Sequence, residues 1–181
     1  MPSWSQIARR IRVPLGFTFA AAYVWLAHPT RASLVIGASI ALIGVAVRAL
    51  ASGHVEKNEA LATTGPYRYT RNPLYLGSMV IAAGFLAAAR SWWIALVALG
   101  MLIGIYLPVI GSEEAFLRSR FPEYEEYSRR VPRLLPRLTA NPSSPGSFSW
   151  HLYSKHREYN AALGTLGMIA VLILKLVWFT K

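Results

Sequence analysis

The chain has no cysteine among its 181 residues. That excludes disulfides, Cys-ligated zinc and a cysteine nucleophile. Acidic residues are scarce: Lys+Arg number 19 against Asp+Glu 8, every acid is a glutamate, and the formal net charge is +11. Nucleotide and hydrolase signatures are missing too. There is no Walker loop, no GxGxxG and no GxSxG, so the soluble Rossmann route to a nucleotide cofactor is closed. No DNA-binding module and no internal repeat occurs. The four histidines, His28, His54, His151 and His156, do not share metal-ligand spacing on one face, and interfacial or loop positions suit them. His54 stands apart, because His54-x-x-Lys57-Asn58-Glu59 runs into a polar loop.

What remains is apolar. Hydrophobic residues make up 54% of the chain and the mean hydropathy is +0.36, more than an ordinary soluble domain carries. Five apolar segments stand out: Val13 to Ala27, Ala32 to Leu50, Leu74 to Ala89, Trp92 to Ile110, and Ala162 to Phe179. A spanning helix takes about 20 residues, so the first and third are short. Arg90 and Ser91 alone separate the third from the fourth, as in a tight helical hairpin. The expected fold is an all-α polytopic membrane protein of about five transmembrane helices, one domain over residues 1–181, with interfacial helices. The first segment resembles a signal peptide in its basic start, but no small-x-small site follows, and a retained helix is expected.

Basic residues sort by side. Arg9, Arg10, Arg12, Arg48, Lys57, Arg68, Arg71, Arg118, Arg120, Arg129, Arg130, Arg133, Arg137, Lys155 and Arg157 fall on one; Arg31, Arg90 and Lys181 fall on the other. Lys175 lies within the fifth span and could snorkel. The positive-inside rule then places the N-terminus and the polar loops in the cytoplasm, with the protein in a prokaryotic inner membrane. Most of the tryptophans mark span ends.

Two polar motifs fall on that same side. The first is Thr64-Gly-Pro-Tyr-Arg-Tyr-Thr-Arg-Asn-Pro-Leu-Tyr-Leu-Gly77. Gly65-Pro66 and Asn72-Pro73 suit turns, with Asn72 as N-cap and Pro73 in a first helical turn. That chemistry leaves Tyr67, Arg68, Tyr69, Arg71 and Tyr75 unexplained. Aromatic faces and helix-start amides can hold an adenine, a carboxylate or a sulfonium. The second motif is Glu113-Glu114-x-x-Leu117-x-x-x-Phe121-Pro122-x-Tyr124-x-x-Tyr127. The glutamates end a membrane helix, or begin a new one if Gly111-Ser112 breaks it, and the sequence leaves both open. Leu117, Phe121, Tyr124, Tyr127 and Val131 share one face of an interfacial stretch from Glu113 to Val131, with Pro122 starting a new helix. Residues 139–149 are a linker by composition, and residues 150–181 add an interfacial segment and the last span.

Over residues 53–137 the paired motifs resemble the integral membrane methyltransferases typified by isoprenylcysteine carboxyl methyltransferase and the phospholipid methyltransferases. The matching residues are Gly65-Pro66-Tyr67, Arg71-Asn72-Pro73-Leu74-Tyr75-Leu76-Gly77, Glu113-Glu114-Ala115-Phe116-Leu117, Phe121 to Tyr127, and Val131-Pro132 to Pro136. The resemblance implies S-adenosylmethionine as cofactor, lined by Glu59, Leu61, Ala62, Tyr67, Asn72, Pro73, Leu74 and Tyr75, with Glu113 bonding from across. The expected reaction is methyl transfer to a membrane-partitioned lipid or lipophilic small molecule, through a carboxylate, amine or thiol, with Arg71 and Glu114 orienting the acceptor. No metal and no nucleic acid is expected to take part.

Two departures bear on the acceptor. Asn72 stands where the eukaryotic carboxyl methyltransferases have His, which keeps hydrogen bonding but removes acid–base roles. Val109 stands where those enzymes place an Arg suited to a substrate carboxylate, so a prenylcysteine is a poor candidate. Two rival classes use the same features. A sterol-reductase-like membrane enzyme would bind NADPH, with Lys57, Arg68 and Arg71 at the extra phosphate. A non-enzymatic lipid-binding protein would use only the basic face. Gly100-x-x-x-Gly104 allows close helix contact within or between chains.

Overall fold

The computed structural model describes residues 4–56, 59–140 and 146–179, apart from the side chains of Ser5, Arg9 and Phe179. The regular elements among them are all helical. They are α1 (Trp4–Leu26), α2 (Arg31–Ser52), a 3₁₀ turn (Gly65–Arg68), α3 (Pro73–Ala89), α4 (Trp92–Arg120), α5 (Tyr124–Arg130), α6 (Trp150–Lys155) and α7 (Tyr159–Phe179). Helices α2, α4 and α7 are each long and apolar enough to cross a bilayer; α3 is apolar but shorter. Helix α1 is 23 residues long, with its arginines in the first half. Large apolar side chains point outward along these helices, Phe17, Val35, Ile36, Leu96, Leu163 and Leu174 among them. A lipid-facing surface needs no polar cover.

Local chemistry explains the ends. Thr30 and Ser33 make a reciprocal capping box at the start of α2. Pro73 occupies the first turn of α3. Arg90 adopts a left-handed conformation (φ 52°) that turns the chain straight into α4. Lys175 reaches back from α7 to the carbonyls of Val24, Trp25 and Ala27, at 2.6, 2.9 and 2.7 Å. It closes the C-terminal end of α1, where a cation complements the negative end of the helix dipole.

The α3–α4 connection is as short as expected, yet α3 packs far more closely on α2 than on α4. Glycines permit this. A Cβ at Gly37 would lie 2.4 Å from the Gly84 carbonyl, and one at Gly44 would lie 2.6 Å from that of Gly77. Both obstacles are backbone, so neither can yield. A Cβ at Gly100 or Gly104 would meet nothing within 4 Å.

Helix α4 runs without a break through Gly111-Ser112 to Arg120. The glutamate pair therefore sits inside a continuous helix, neither ending one nor starting another. A π-helical stretch, Leu102–Tyr106, precedes Pro108. Proline cannot donate to the carbonyl four residues back, and Trp4 Nε1 donates to that Gly104 carbonyl at 2.9 Å. The interfacial helix begins only after Phe121-Pro122. Its apolar face is the expected one: Phe121, Tyr124, Tyr127 and Val131 form a buried cluster with Leu61 and Leu117 packed against it. Residues 141–145 of the expected linker lie outside the described residues. The following stretch folds back, with Ser149 N donating to Gly53 O at 2.9 Å and the Phe148 ring edge-on to His54.

Candidate functional site

The two motifs meet at one end of the bundle. Residues 131–137, the Val-Pro-x-x-x-Pro close, run as a strap across the first motif. Arg71 N donates to Pro132 O and Arg137 N donates to Tyr69 O, at 2.9 and 3.0 Å. Thr70 Oγ1 lies 3.2 and 3.1 Å from the carbonyls of Arg133 and Leu134. Tyr127 Oη donates to Tyr67 O at 2.8 Å. Proline suits a strap whose carbonyls must accept from outside rather than continue a helix. Below it, Gly65 turns at φ +54°, and a Cβ there would strike the His54 ring at 2.6 Å. His54 is thus a wedge behind the turn, with Nδ1 2.9 Å from Leu50 O.

Between the motifs lies a cavity of about 980 Å³. Leu61, Ala62, Tyr67, Arg71, Asn72, Pro73, Leu74, Tyr75 and Glu113 all line it, joined by Arg12, Tyr106, Phe116 and Tyr124. Two of the sequence-derived candidates do not line it. Glu59 is exposed and pairs with Lys155 at 3.3 Å. Glu114 lies behind the wall, where Arg71 Nε, Arg133 Nε and Asn72 Nδ2 approach its carboxylate at 3.6, 3.0 and 2.9 Å.

Asn72 carries the largest difference from the sequence reading. It occupies the N-cap position of α3 but makes no side-chain cap bond. Its amide donates instead to Glu114 and to the Arg133 carbonyl, the latter at 3.1 Å. The first-turn amides of α3 are left without that cap at the cavity wall. Gly111 has a role its sequence context concealed: a Cβ there would sit 3.2 Å from Arg133 Nη2, so the glycine makes room for the arginine that braces Glu114.

Glu113 faces the cavity one residue away. It pairs with Arg12 at 4.0 Å, and Arg12 also donates to Tyr75 Oη at 3.3 Å. Helices α1, α3 and α4 thereby converge on one polar cluster. Val109 is fully buried against Ala8 and Ile105, away from the cavity. Burial pushes the Tyr67 phenol well above its ordinary range, with the Glu158 carboxylate adding to the effect. Tyr67 therefore stays a protonated donor and cannot act as a base.

A second, mostly apolar cavity of about 390 Å³ adjoins the large one between α1, α3 and α7, lined by Tyr23, Ile81, Phe85, Thr165 and Met168. Ala20, Arg48 and Ser78 line both. Arg48 reaches Glu158 from Nε at 3.1 Å and from Nη2 at 2.8 Å to each carboxylate oxygen. No local pattern marks this pair at the neck: Arg48 reads only as a topology signal, and Glu158 belongs to neither motif. The left-handed Arg157 (φ 52°) just before it was the local clue only geometry could supply. Of the bases a cofactor phosphate would need, Arg71 lines the large cavity, Arg68 does not, and Lys57 lies outside the described residues. Among the described residues no group of three or more His, Cys, Asp or Glu could hold a metal ion.

A family model described as phospholipid methyltransferase matches residues 31–124. The chain belongs to the phospholipid methyltransferase family. That match spans α2, the first motif, α3, α4 and the start of α5, so it covers most of the cavity walls. The chain is also 36% identical over 140 residues to the cobalt-zinc-cadmium resistance protein CzcN of Cupriavidus metallidurans, covering 75% of this chain and 62% of that protein. It is 35% identical over 115 residues to the nickel-cobalt-cadmium resistance protein NccN of Alcaligenes xylosoxydans xylosoxydans, covering 64% and 54%. The chain thus spans less than two thirds of either relative. No solved structure matches.

Proposed function

We propose that this protein transfers a methyl group from S-adenosylmethionine to a lipophilic acceptor held in the membrane. The observation that carries the reading is the 980 Å³ cavity walled by both motifs, at the upper end of the size of small-molecule sites. Its donor set suits the cofactor. Tyr67, Tyr75 and Tyr106 offer aromatic faces to a sulfonium, Glu113 offers a carboxylate to ammonium or hydroxyl groups, and the uncapped start of α3 offers amides.

When bound, the cofactor supplies a methyl group that is transferred by displacement to the acceptor's lone pair. The chain's part is to orient both reactants and exclude water, which asks for no strong acid or base. Arg71 on the wall orients the acceptor, and Glu114 behind it acts by holding Arg71 and Asn72. The apolar cavity beyond the Arg48–Glu158 neck receives the lipophilic body, and the basic, motif-bearing end faces the cytoplasm of a bacterial inner membrane. A role in metal resistance, as the relatives' names suggest, would act through a methylated membrane component.

The test is thermal stabilisation of the detergent-purified protein by S-adenosylmethionine and S-adenosylhomocysteine, with NADPH as comparator. Stabilisation by the first two, lost in Tyr75→Ala and Glu113→Ala, is the expected result. A response to NADPH alone would replace the methyltransferase with a reductase.

A further inference from the structure

The strap over the first motif carries two side chains that the cavity does not use. Leu135 is 81% exposed and Leu138 fully so. Neither sits on a loose loop. Arg71 N, Thr70 Oγ1 and Asn72 Nδ2 hold the carbonyls of Pro132, Arg133 and Leu134, and Arg137 N is tied to Tyr69 O. The leucines are therefore held outward by a segment fixed on both sides. A single surface leucine needs no explanation, but two beside a basic face mark an interaction surface. The depth of the strap says what covers it. Asn72 immediately precedes α3, whose 17 residues carry no charge. A segment bonded to the start of such a helix lies where acyl chains give way to headgroups.

We propose that the strap and α5 dock onto anionic phospholipid headgroups of the protein's own membrane, with Leu135 and Leu138 entering the acyl boundary. The charge around the leucines fits that partner. Arg118, Arg120, Arg129, Arg130 and Arg137 stand against Glu123, Glu125 and Glu126, while Arg133 is committed to Glu114. Glu125 pairs with Arg118 and Arg129, and Glu126 with Arg130, all in exposed contacts. Such pairs are weak in water, and a guanidinium exchanges one readily for a lipid phosphate. Apolar side chains beside a basic helix are the chemistry of a segment lying in an anionic interface. The strap carbonyls hold Thr70, Arg71 and Asn72, so docking steadies one wall of the cavity. The surface lies outside the cavity, and its role does not rest on the methyl-transfer reading.

The absence of cysteine makes the test direct. Leu135→Cys and Leu138→Cys are each nitroxide-labelled in the full chain and placed in nanodiscs of phosphatidylcholine, alone or mixed with phosphatidylglycerol. Leu163→Cys on α7 is the lipid reference, and free label in buffer is the water reference. Both positions are exposed, so the melting temperature should match the parent and report an intact fold. Collision with oxygen and with a water-soluble nickel chelate reads the depth. In anionic discs both labels should lose most of their contact with nickel and gain contact with oxygen, approaching the α7 reference. Arg129→Gln with Arg130→Gln, made in the labelled chains, should abolish the difference between the two lipid compositions. Labels as open to nickel as the water reference in both discs would overturn the proposal and leave the face to a soluble partner. Depth that ignores lipid charge would overturn it too, since the arginines would then have no part. No cofactor enters the experiment, so its failure is separate from failure of the methyl-transfer reading.

Discussion

Arg48 and Glu158, 110 residues apart in the chain, form a two-pronged ion pair at the neck between the polar and the apolar cavity. Arg48 also donates to Ser78 Oγ and, at 3.2 Å, to the Leu74 carbonyl. One guanidinium therefore ties α2, α3 and the start of α7 together. The arrangement gives the neck a charged lining beside an apolar cavity, where an unpaired charge is expensive.

Breaking this pair should cost more than removing it. Arg48→Met or Glu158→Gln alone should destabilise by about 2–4 kcal/mol, toward the low side for a buried pair because Arg48 is 22% exposed. The double variant Arg48→Met with Glu158→Gln should recover more than half of the loss. Unfolding in SDS monitored by tryptophan fluorescence measures this, and additive single effects would show that the pair is not coupled.

The helix glycines should divide into two groups. Gly37→Ala and Gly44→Ala each drive a Cβ into α3 backbone and should each cost about 1–3 kcal/mol. Gly100→Ala, with open space around it, should melt within about 0.5 kcal/mol of the parent. A harmful Gly100→Ala would instead point to a helix partner outside this chain.

Asn72→Asp places a second carboxylate against Glu114, where the amide now donates at 2.9 Å. It should lower stability by about 1–3 kcal/mol and weaken cofactor binding. Adding Glu114→Gln should restore much of the stability, since a neutral amide can donate to the new aspartate. No recovery in the double variant would mean that the Asn72–Glu114 contact is not the one that matters.

Alkaline pH should unfold the site before the spans. The Tyr67 and Tyr127 phenols are raised above the ordinary value of 10.0, chiefly by burial. The native protein keeps these protons where the unfolded chain releases them. Their contribution is complete below about pH 10 and falls as pH rises beyond it. Tyr127→Phe gives up the bond to Tyr67 O but should show a shallower decline above that pH. Thermal melts from pH 8 to 11.5 would reveal it.

Lys175→Met should fray the end of α1 without disturbing the cavity. Three carbonyls lose their cation, and a cost of about 1–2 kcal/mol is expected. Hydrogen exchange should quicken at residues 24–28 while the motif end keeps its protection.

Much of the fold was legible because its signals are local. The run from Leu34 to Val47 carries no charge and is almost wholly apolar, and in lipid a helix satisfies its own backbone. Leu117, Phe121, Tyr124, Tyr127 and Val131 recur at helical spacing, and four of them do form one buried cluster. Leu61, Ala62, Tyr67 and Arg71 to Tyr75 line the cavity because turn chemistry and Pro73 dictate where that chain segment goes.

The sequence alone determined the helical class, the positions of three of the five expected spans and the meeting of the two motifs at one end. Each follows from periodicity, turn residues and charge placement within short windows. Tertiary structure alone decided which glutamate faces the cavity, that Gly111 yields space to Arg133 rather than breaking a helix, and that Gly37 and Gly44, not Gly100 and Gly104, carry the close packing. It also turned Asn72 from cap to strut and paired Arg48 with Glu158. The reason is the same in each case. A side chain's role depends on what lies opposite it, and the partner here comes from a distant part of the chain whose approach no local pattern encodes.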